Sequence, residues 1–230
     1  MCRGHNAALY AAVECAPFRR PDPQWRGPRR ALYAVHHLDH TKTVHEPPMK
    51  RLDTILRDWR ISKAVAFVRV GDRLLDVGCF DDRLLRRAAP LVVEGVGIDP
   101  LAVPKCHRNT RVLRAEFPCS YVFPDESFDC ITMVAVLEHV DDAERTAAEC
   151  LRLLKPTGRL IVTVPSPNVD RILRLLQKLN LADGMSSEEH HGFDVHGVRS
   201  LFERVGLRLR VRRSFQLGLN HLFVFEKAAK

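Results

Sequence analysis

The chain has 230 residues, 46% of them hydrophobic, and a net charge of +8 at neutral pH. That length suits one ordinary domain with its own core, and no apolar run approaches the roughly 18 residues of a membrane-spanning helix. The 7 cysteines are scattered and form no Cys-x-x-Cys pair, which argues against a disulfide framework or a structural zinc site and for a reducing, cytoplasmic setting. The basic excess is spread along the chain and alternates with acids, so it reads as a solvated surface rather than a polyanion-binding face, and no stable nucleic-acid partner is expected.

Residues 1–48 hold Pro17, Pro21, Pro23, Pro28, Pro47 and Pro48 and show no sustained period of 3.6 or 2. They are expected to be a disordered extension preceding a domain over 49–230. From Met49 onward, Leu52, Ile55, Leu56, Trp59 and Ala66 recur at helical spacing, so ordered structure is expected to begin there. An alternating order follows. "RLLDVG" reads as a buried strand, "DRLLRRAAP" as a helix, "VEGVGID" as a strand, "PLAVPKC" as a short helical piece and "TRVLRAEF" as a strand. "SFDCITMVAV" is the fourth strand, and a helix from Asp141 to Leu154 is stopped by Pro156 and Gly158 ahead of a fifth strand, "GRLIVTVP". "NVDRILRLLQKL" and "DVHGVRSLFERVG" are amphipathic helices, and "LRLRVRRSF" and "HLFVFEK" close the chain as two strands. Strands alternating with helices imply an α/β fold: a Rossmann-like, seven-stranded, mostly parallel sheet with helices on both faces and a C-terminal antiparallel hairpin.

In such a sheet ligands sit outside the carboxyl ends of the strands, beside the first strand, which singles out "LLDVGCFDD". A dinucleotide site needs Gly-x-Gly-x-x-Gly, whereas positions 78, 80 and 83 are Gly, Phe and Arg. Phe80 would crowd a pyrophosphate, and Asp76, Asp81 and Asp82 would repel it. An acid-flanked loop suits a cation without phosphate.

At these residues the chain resembles the class I S-adenosylmethionine-dependent methyltransferases. Their first motif, acid-x-Gly-x-Gly-x-Gly, is matched at Asp76 and Gly78 and departs at Phe80 and Asp82. The likeness continues through "GVGIDP", "RAEFP", "PDESFDCITMVAVLEHV" and "LLKPTGRLIVTVP", about residues 60–165. The resemblance implies S-adenosyl-L-methionine as cofactor. It assigns the backbone around Gly78 and Cys79 to the methionine end and Asp76 to the ammonium group. Asp99, followed by Pro100, is placed as the acceptor for both ribose hydroxyls, a role compatible with capping the turn that follows. Glu116 and Phe117 would read adenine, and Val134 would line the cofactor's inner face.

Methyl transfer from a sulfonium is an in-line displacement, so alignment and exclusion of water matter most. A small-molecule oxygen acceptor gains from a general base, for which His139 in "LEHV" and His190, His191 and His196 in "EEHHGFDVHG" are the candidates. Glu138 with His139 could instead help bind a divalent cation. Residues 166–193 are expected to cover the acceptor. Their basic amphipathic helix would also permit peripheral contact with an anionic membrane and admission of a lipid-linked acceptor.

Overall fold

A computed structural model of the protein describes residues 51–118, 123–166, 195 and 197–227. The expectations for residues 1–48 and for the acceptor-covering segment beyond Ser166 lie outside the described residues.

Helix α1 (Arg51–Val65) leads into strand β1 (Arg73–Val77), helix α2 (Arg83–Ala88), β2 (Glu94–Asp99), β3 (Lys105–His107), β4 (Thr110–Arg114) and β5 (Phe128–Val134). A one-turn 3-10 helix (Leu137–His139), α3 (Ala143–Leu153), β6 (Leu154–Pro165), α4 (Gly197–Arg204), β7 (Leu207–Phe215) and β8 (Asn220–Lys227) follow. The strands form one sheet in the order β3-β4-β2-β1-β5-β6-β8-β7. β1 is parallel to both its neighbours, with Asp76 facing Gly97 on β2 and Thr132 on β5. From β1 the chain builds outward through β2 and β4, then returns to the other side at β5. The order therefore reverses beside β1, and a crevice is expected at its carboxyl end.

The period-2 alternation of the strands separates two cores. Leu75, Ile131, Met133, Leu160, Val162, Phe223 and Phe225 face α3 and α4. Leu74, Cys130, Ile161 and Val224 face Ile61 and Ala64 of α1 and Leu84, Leu85 and Ala88 of α2. Beneath the sheet, buried Arg159 donates through Nε to the Phe67 carbonyl (2.7 Å) and pairs with buried Asp72, which also accepts the Arg69 N–H at 2.7 Å. At the far edge, β7 and β8 form the expected antiparallel hairpin.

Several expectations are corrected. Among the described residues eight strands replace seven, because Lys105–His107 pairs antiparallel with β4 where a helical piece was expected. Pro104 lacks the N–H that would have bonded the Pro100 carbonyl in a helix. That carbonyl instead accepts from Arg114 Nε at 3.0 Å. Pro156 and Gly158 do not separate α3 from a strand; they lie within β6, where its pairing with β5 shifts register between Phe128 and Cys130. Such an irregularity accommodates a residue with no N–H to donate. Helix α1 exists, yet Ile55 and Trp59 from its apolar series point outward, 61% and 42% exposed, while Ile61 and Ala64 are buried. Cys79, Cys130 and Cys150 are buried free thiols. Cys106 is disulfide-bonded, against the expectation from cysteine spacing.

Candidate active site

The turn after β1 keeps the shape that its composition argues against. Gly78, Phe80 and Asp82 all have positive φ, at 71°, 44° and 65°. These are the three glycine positions of the acid-x-Gly-x-Gly-x-Gly pattern, so two side-chain-bearing residues hold a left-handed conformation that glycine adopts freely. Phe80 tolerates it by leaving its ring partly in solvent, 40% exposed, and by donating its backbone N–H to Asp99 Oδ2 at 3.1 Å. Asp82 is anchored by Arg86 and Lys105, each 3.1 Å from its Oδ1. Gly78 has no such latitude, since a Cβ there would stand 2.3 Å from Val136 Cγ2. A Cβ at Gly97 would lie 2.6 Å from Cys79 Sγ, so the loop lies directly over β2.

Acids converge on this loop. Asp76 is buried, and its Oδ1 accepts from Thr132 Oγ1 at 2.7 Å. Burial pushes its carboxyl up to about 7, against the Thr132 hydrogen bond and reinforced by Asp99 and Asp81. No cation compensates Asp76 among the described residues, whereas Asp81 is held by Arg57 at 3.0 Å. Asp99, buried at the end of β2, accepts from the Leu101 N–H (2.7 Å) and the Phe80 N–H (3.1 Å). Four lone-pair positions on a carboxylate leave room for further donors. The Asp99 carbonyl accepts from the Ala115 N–H at 3.2 Å, which fixes exposed Glu116 and half-buried Phe117 beside the end of β2. Pro100 is exposed beyond Asp99, and Val134 is half-buried at the end of β5. Asp76, Gly78, Cys79, Asp99, Pro100, Glu116, Phe117 and Val134 thus gather at the carboxyl ends of β1, β2, β4 and β5. Burial and nearby carboxylates raise the Cys79 thiol far above its usual range, so it serves as packing and not as a nucleophile.

His139 is exposed at the end of the 3-10 turn. His190, His191 and His196 lie outside the described residues. No group of three His, Cys, Asp or Glu residues suited to a metal occurs among the described residues. Glu138 faces the charge of Arg60. The sequence reading did not identify Arg57 and Arg60. Their helix carries an apolar series that dominates its pattern, while Asp53, Arg57 and Arg60, one and two turns apart, form its polar face. Val136, whose methyl groups close the space above Gly78, carries no polar signal and reads in the sequence as ordinary core.

An uncompensated carboxylate beneath a glycine-conformation turn, a second carboxylate at the end of β2 and an acid after β4 fit a cationic nucleoside. Residues 50–210 match the methyltransferase domain family. The chain belongs to that family, the class I S-adenosylmethionine-dependent methyltransferases. A ubiquinone biosynthesis O-methyltransferase of Rhodopseudomonas palustris (strain BisB5) is 27% identical over 165 residues, covering 68% of this chain and 62% of that protein. The protein of the same name from Bradyrhizobium diazoefficiens is 27% identical over 169 residues, 68% and 63% of the two chains. The chain therefore spans less than two thirds of the length of these relatives. Among solved structures, Burkholderia thailandensis 1,6-didemethyltoxoflavin-N1-methyltransferase, with bound 1,6-didemethyltoxoflavin and S-adenosylhomocysteine, superposes with a TM-score of 0.59 at 16% identity, covering 77% of this chain and 82% of that one. An S-adenosylmethionine-dependent methyltransferase from Mesorhizobium loti gives 0.57 at 17% identity, covering 74% and 98%. These two likenesses concern the fold.

Proposed function

We propose that the protein transfers the methyl group of S-adenosylmethionine to an oxygen of a small-molecule acceptor. The single observation that carries the cofactor half of this reading is Asp76: a buried carboxylate without a cationic partner among the described residues, beside a turn that holds glycine-like geometry. The cofactor's ammonium supplies the missing charge, and the backbone of Gly78 and Cys79 approaches its methionine end. Asp99 accepts from the ribose hydroxyls, with Pro100 shaping the turn beyond it. Glu116 and the Phe117 N–H read adenine, and Val134 closes the inner face. When bound, the cofactor supplies an electrophilic methyl group; the chain's own residues orient the acceptor and exclude water.

The preference for oxygen rests on the names of the O-methyltransferases that the chain is similar to and on the acid and histidine at 138 and 139. Ubiquinone precursors make a lipid-linked acceptor the natural extension, delivered at a membrane surface rather than within it. No helix among the described residues is long and apolar enough to cross a membrane. His139, His190, His191 and His196 remain the histidine candidates for proton removal. Incubation with methyl-labelled S-adenosylmethionine and a panel of hydroxyl, amine and carbon acceptors tests this reading. Label recovered as methyl ethers supports it, and label recovered only on nitrogen or carbon refutes the oxygen assignment.

A further inference from the structure

Asp82 stands at the N-cap position of α2, where an aspartate ordinarily accepts from the first N–H groups of the helix. Its side chain makes no such bond. The carboxylate is turned instead to two cations, Arg86 Nε and Lys105 Nζ, each 3.1 Å from Oδ1. Lys105 Nζ also donates to the Asp81 carbonyl at 3.2 Å. The Asp81 carboxylate is met from the other flank of the turn by Arg57 of α1 at 3.0 Å. The charges of both acids are thus matched inside the protein, by elements on either side of the cofactor turn.

Of the two cations on Asp82, Arg86 lies one turn along α2 itself, whereas Lys105 comes from a separate element. That element, β3, has three residues, and every one of their side chains is exposed. It is nevertheless built: Lys105 faces Val112 of β4, and Thr110 Oγ1 donates to the His107 carbonyl at 2.9 Å. An edge strand with no buried side chain adds little to either core. What it does supply is an ammonium within reach of the cofactor turn.

The turn needs such a tie because of its backbone. Phe80 and Asp82 hold φ of 44° and 65°, a left-handed geometry that a residue bearing a side chain keeps only when its surroundings impose it. A ligand that fits one conformation of a turn has its apparent affinity lowered by the fraction of molecules in any other. A tie that raises the fitting fraction therefore tightens binding without touching the ligand.

Resting on the methyl-transfer reading above, we propose that Lys105 is a positioning residue for S-adenosylmethionine. Acting through Asp82, it holds the turn in the conformation that the cofactor takes up, and so replaces by charge the glycine that the motif lacks at position 82. The Asp82 side chain is 8% exposed, so little water screens its charge, while the 43% exposure of Lys105 keeps the tie moderate in strength. Charge alone predicts the opposite outcome: Lys105 is a cation near the site of a cationic ligand, and its removal would strengthen binding. The inference therefore carries a sign as well as a size.

Calorimetric titration of S-adenosylmethionine into the full chain tests it, with wild type beside Lys105→Gln, Asp82→Gly and the double variant. Lys105→Gln is expected to weaken binding about three- to tenfold. Glycine adopts the backbone of residue 82 unaided, so Asp82→Gly should bind within about threefold of wild type. Adding Lys105→Gln to Asp82→Gly should then change affinity less than about twofold, and binding by this double variant reports that the lysine substitution folds. Unchanged or tighter binding by Lys105→Gln overturns the proposal, as does loss of binding in Asp82→Gly. An equal loss from Lys105→Gln in both backgrounds also overturns it, being the result expected if the lysine merely stabilises β3. Wild type that binds the cofactor no better than Lys105→Gln sinks this inference alone, whereas wild type that binds none removes the methyl-transfer reading and this inference with it.

Discussion

Phe80 offers a direct check that the cofactor turn is held in the conformation of glycine. Its φ of 44° lies in the left-handed region, and its side chain is 40% exposed. Truncating a ring more than half covered costs about 1–2 kcal/mol of burial whether the replacement is Ala or Gly. The two replacements differ in backbone. Glycine loses about 0.5–1 kcal/mol more than alanine to its freedom in the unfolded chain, while alanine retains a left-handed penalty of about 1–2 kcal/mol. Phe80→Gly should therefore be more stable than Phe80→Ala by about 0.5–1 kcal/mol. At Ala148, exposed on α3, glycine should be the worse residue by about 1 kcal/mol. Urea denaturation followed by circular dichroism measures all three substitutions against the wild type. A Phe80→Ala protein as stable as Phe80→Gly, or more so, would refute a left-handed residue 80 and the glycine-like turn with it.

Gly78→Ala places a methyl group against Val136 at a positive φ, and is expected to destabilise by about 2–5 kcal/mol and to abolish S-adenosylhomocysteine binding in a calorimetric titration. Asp72→Ala strands the buried Arg159 guanidinium, with an expected loss of about 3–5 kcal/mol by chemical denaturation. Asp76 and Glu138 both have carboxyls raised by burial to about 7. The folded state then binds more protons than the unfolded one above about pH 4, so their contribution is fully present at low pH and is lost as pH rises to about 7. Denaturation at pH 5 and pH 7.5 should show this fall, and Asp76→Asn should flatten it. Cofactor affinity should rise across the same window, because ionised Asp76 holds the ammonium.

How much of this was legible in the sequence follows from what each signal depends on. The strands "RLLDVG", "VEGVGID" and "SFDCITMVAV" lie at the sheet's centre, buried on both sides, so their apolar runs announce them without help from other elements. β3 escaped because a three-residue strand on the exposed edge owes its pairing to β4 and not to its own composition. The acids of the site were visible, since Asp76, Asp99 and Glu116 each terminate or follow a recognisable strand. The turn between them was misleading: Phe80 and Asp82 break the glycine pattern in composition while keeping it in φ, and a backbone angle held by Asp99, Arg86 and Lys105 cannot be read from local residues. Arg60 was illegible for a related reason. The helix period shows which residues share a face, but Ile55 and Trp59 made the wrong face look inward.

The most direct test of the whole account is isothermal titration of the full chain with S-adenosylmethionine, wild type beside Asp99→Asn. One cofactor per chain is expected for the wild type, with affinity about tenfold or more lower in the variant, because a carboxylate that accepts from two ribose hydroxyls becomes an amide that offers one acceptor oxygen. Undiminished affinity in Asp99→Asn would contradict the assigned site, and a wild type that takes up no cofactor would contradict the account as a whole.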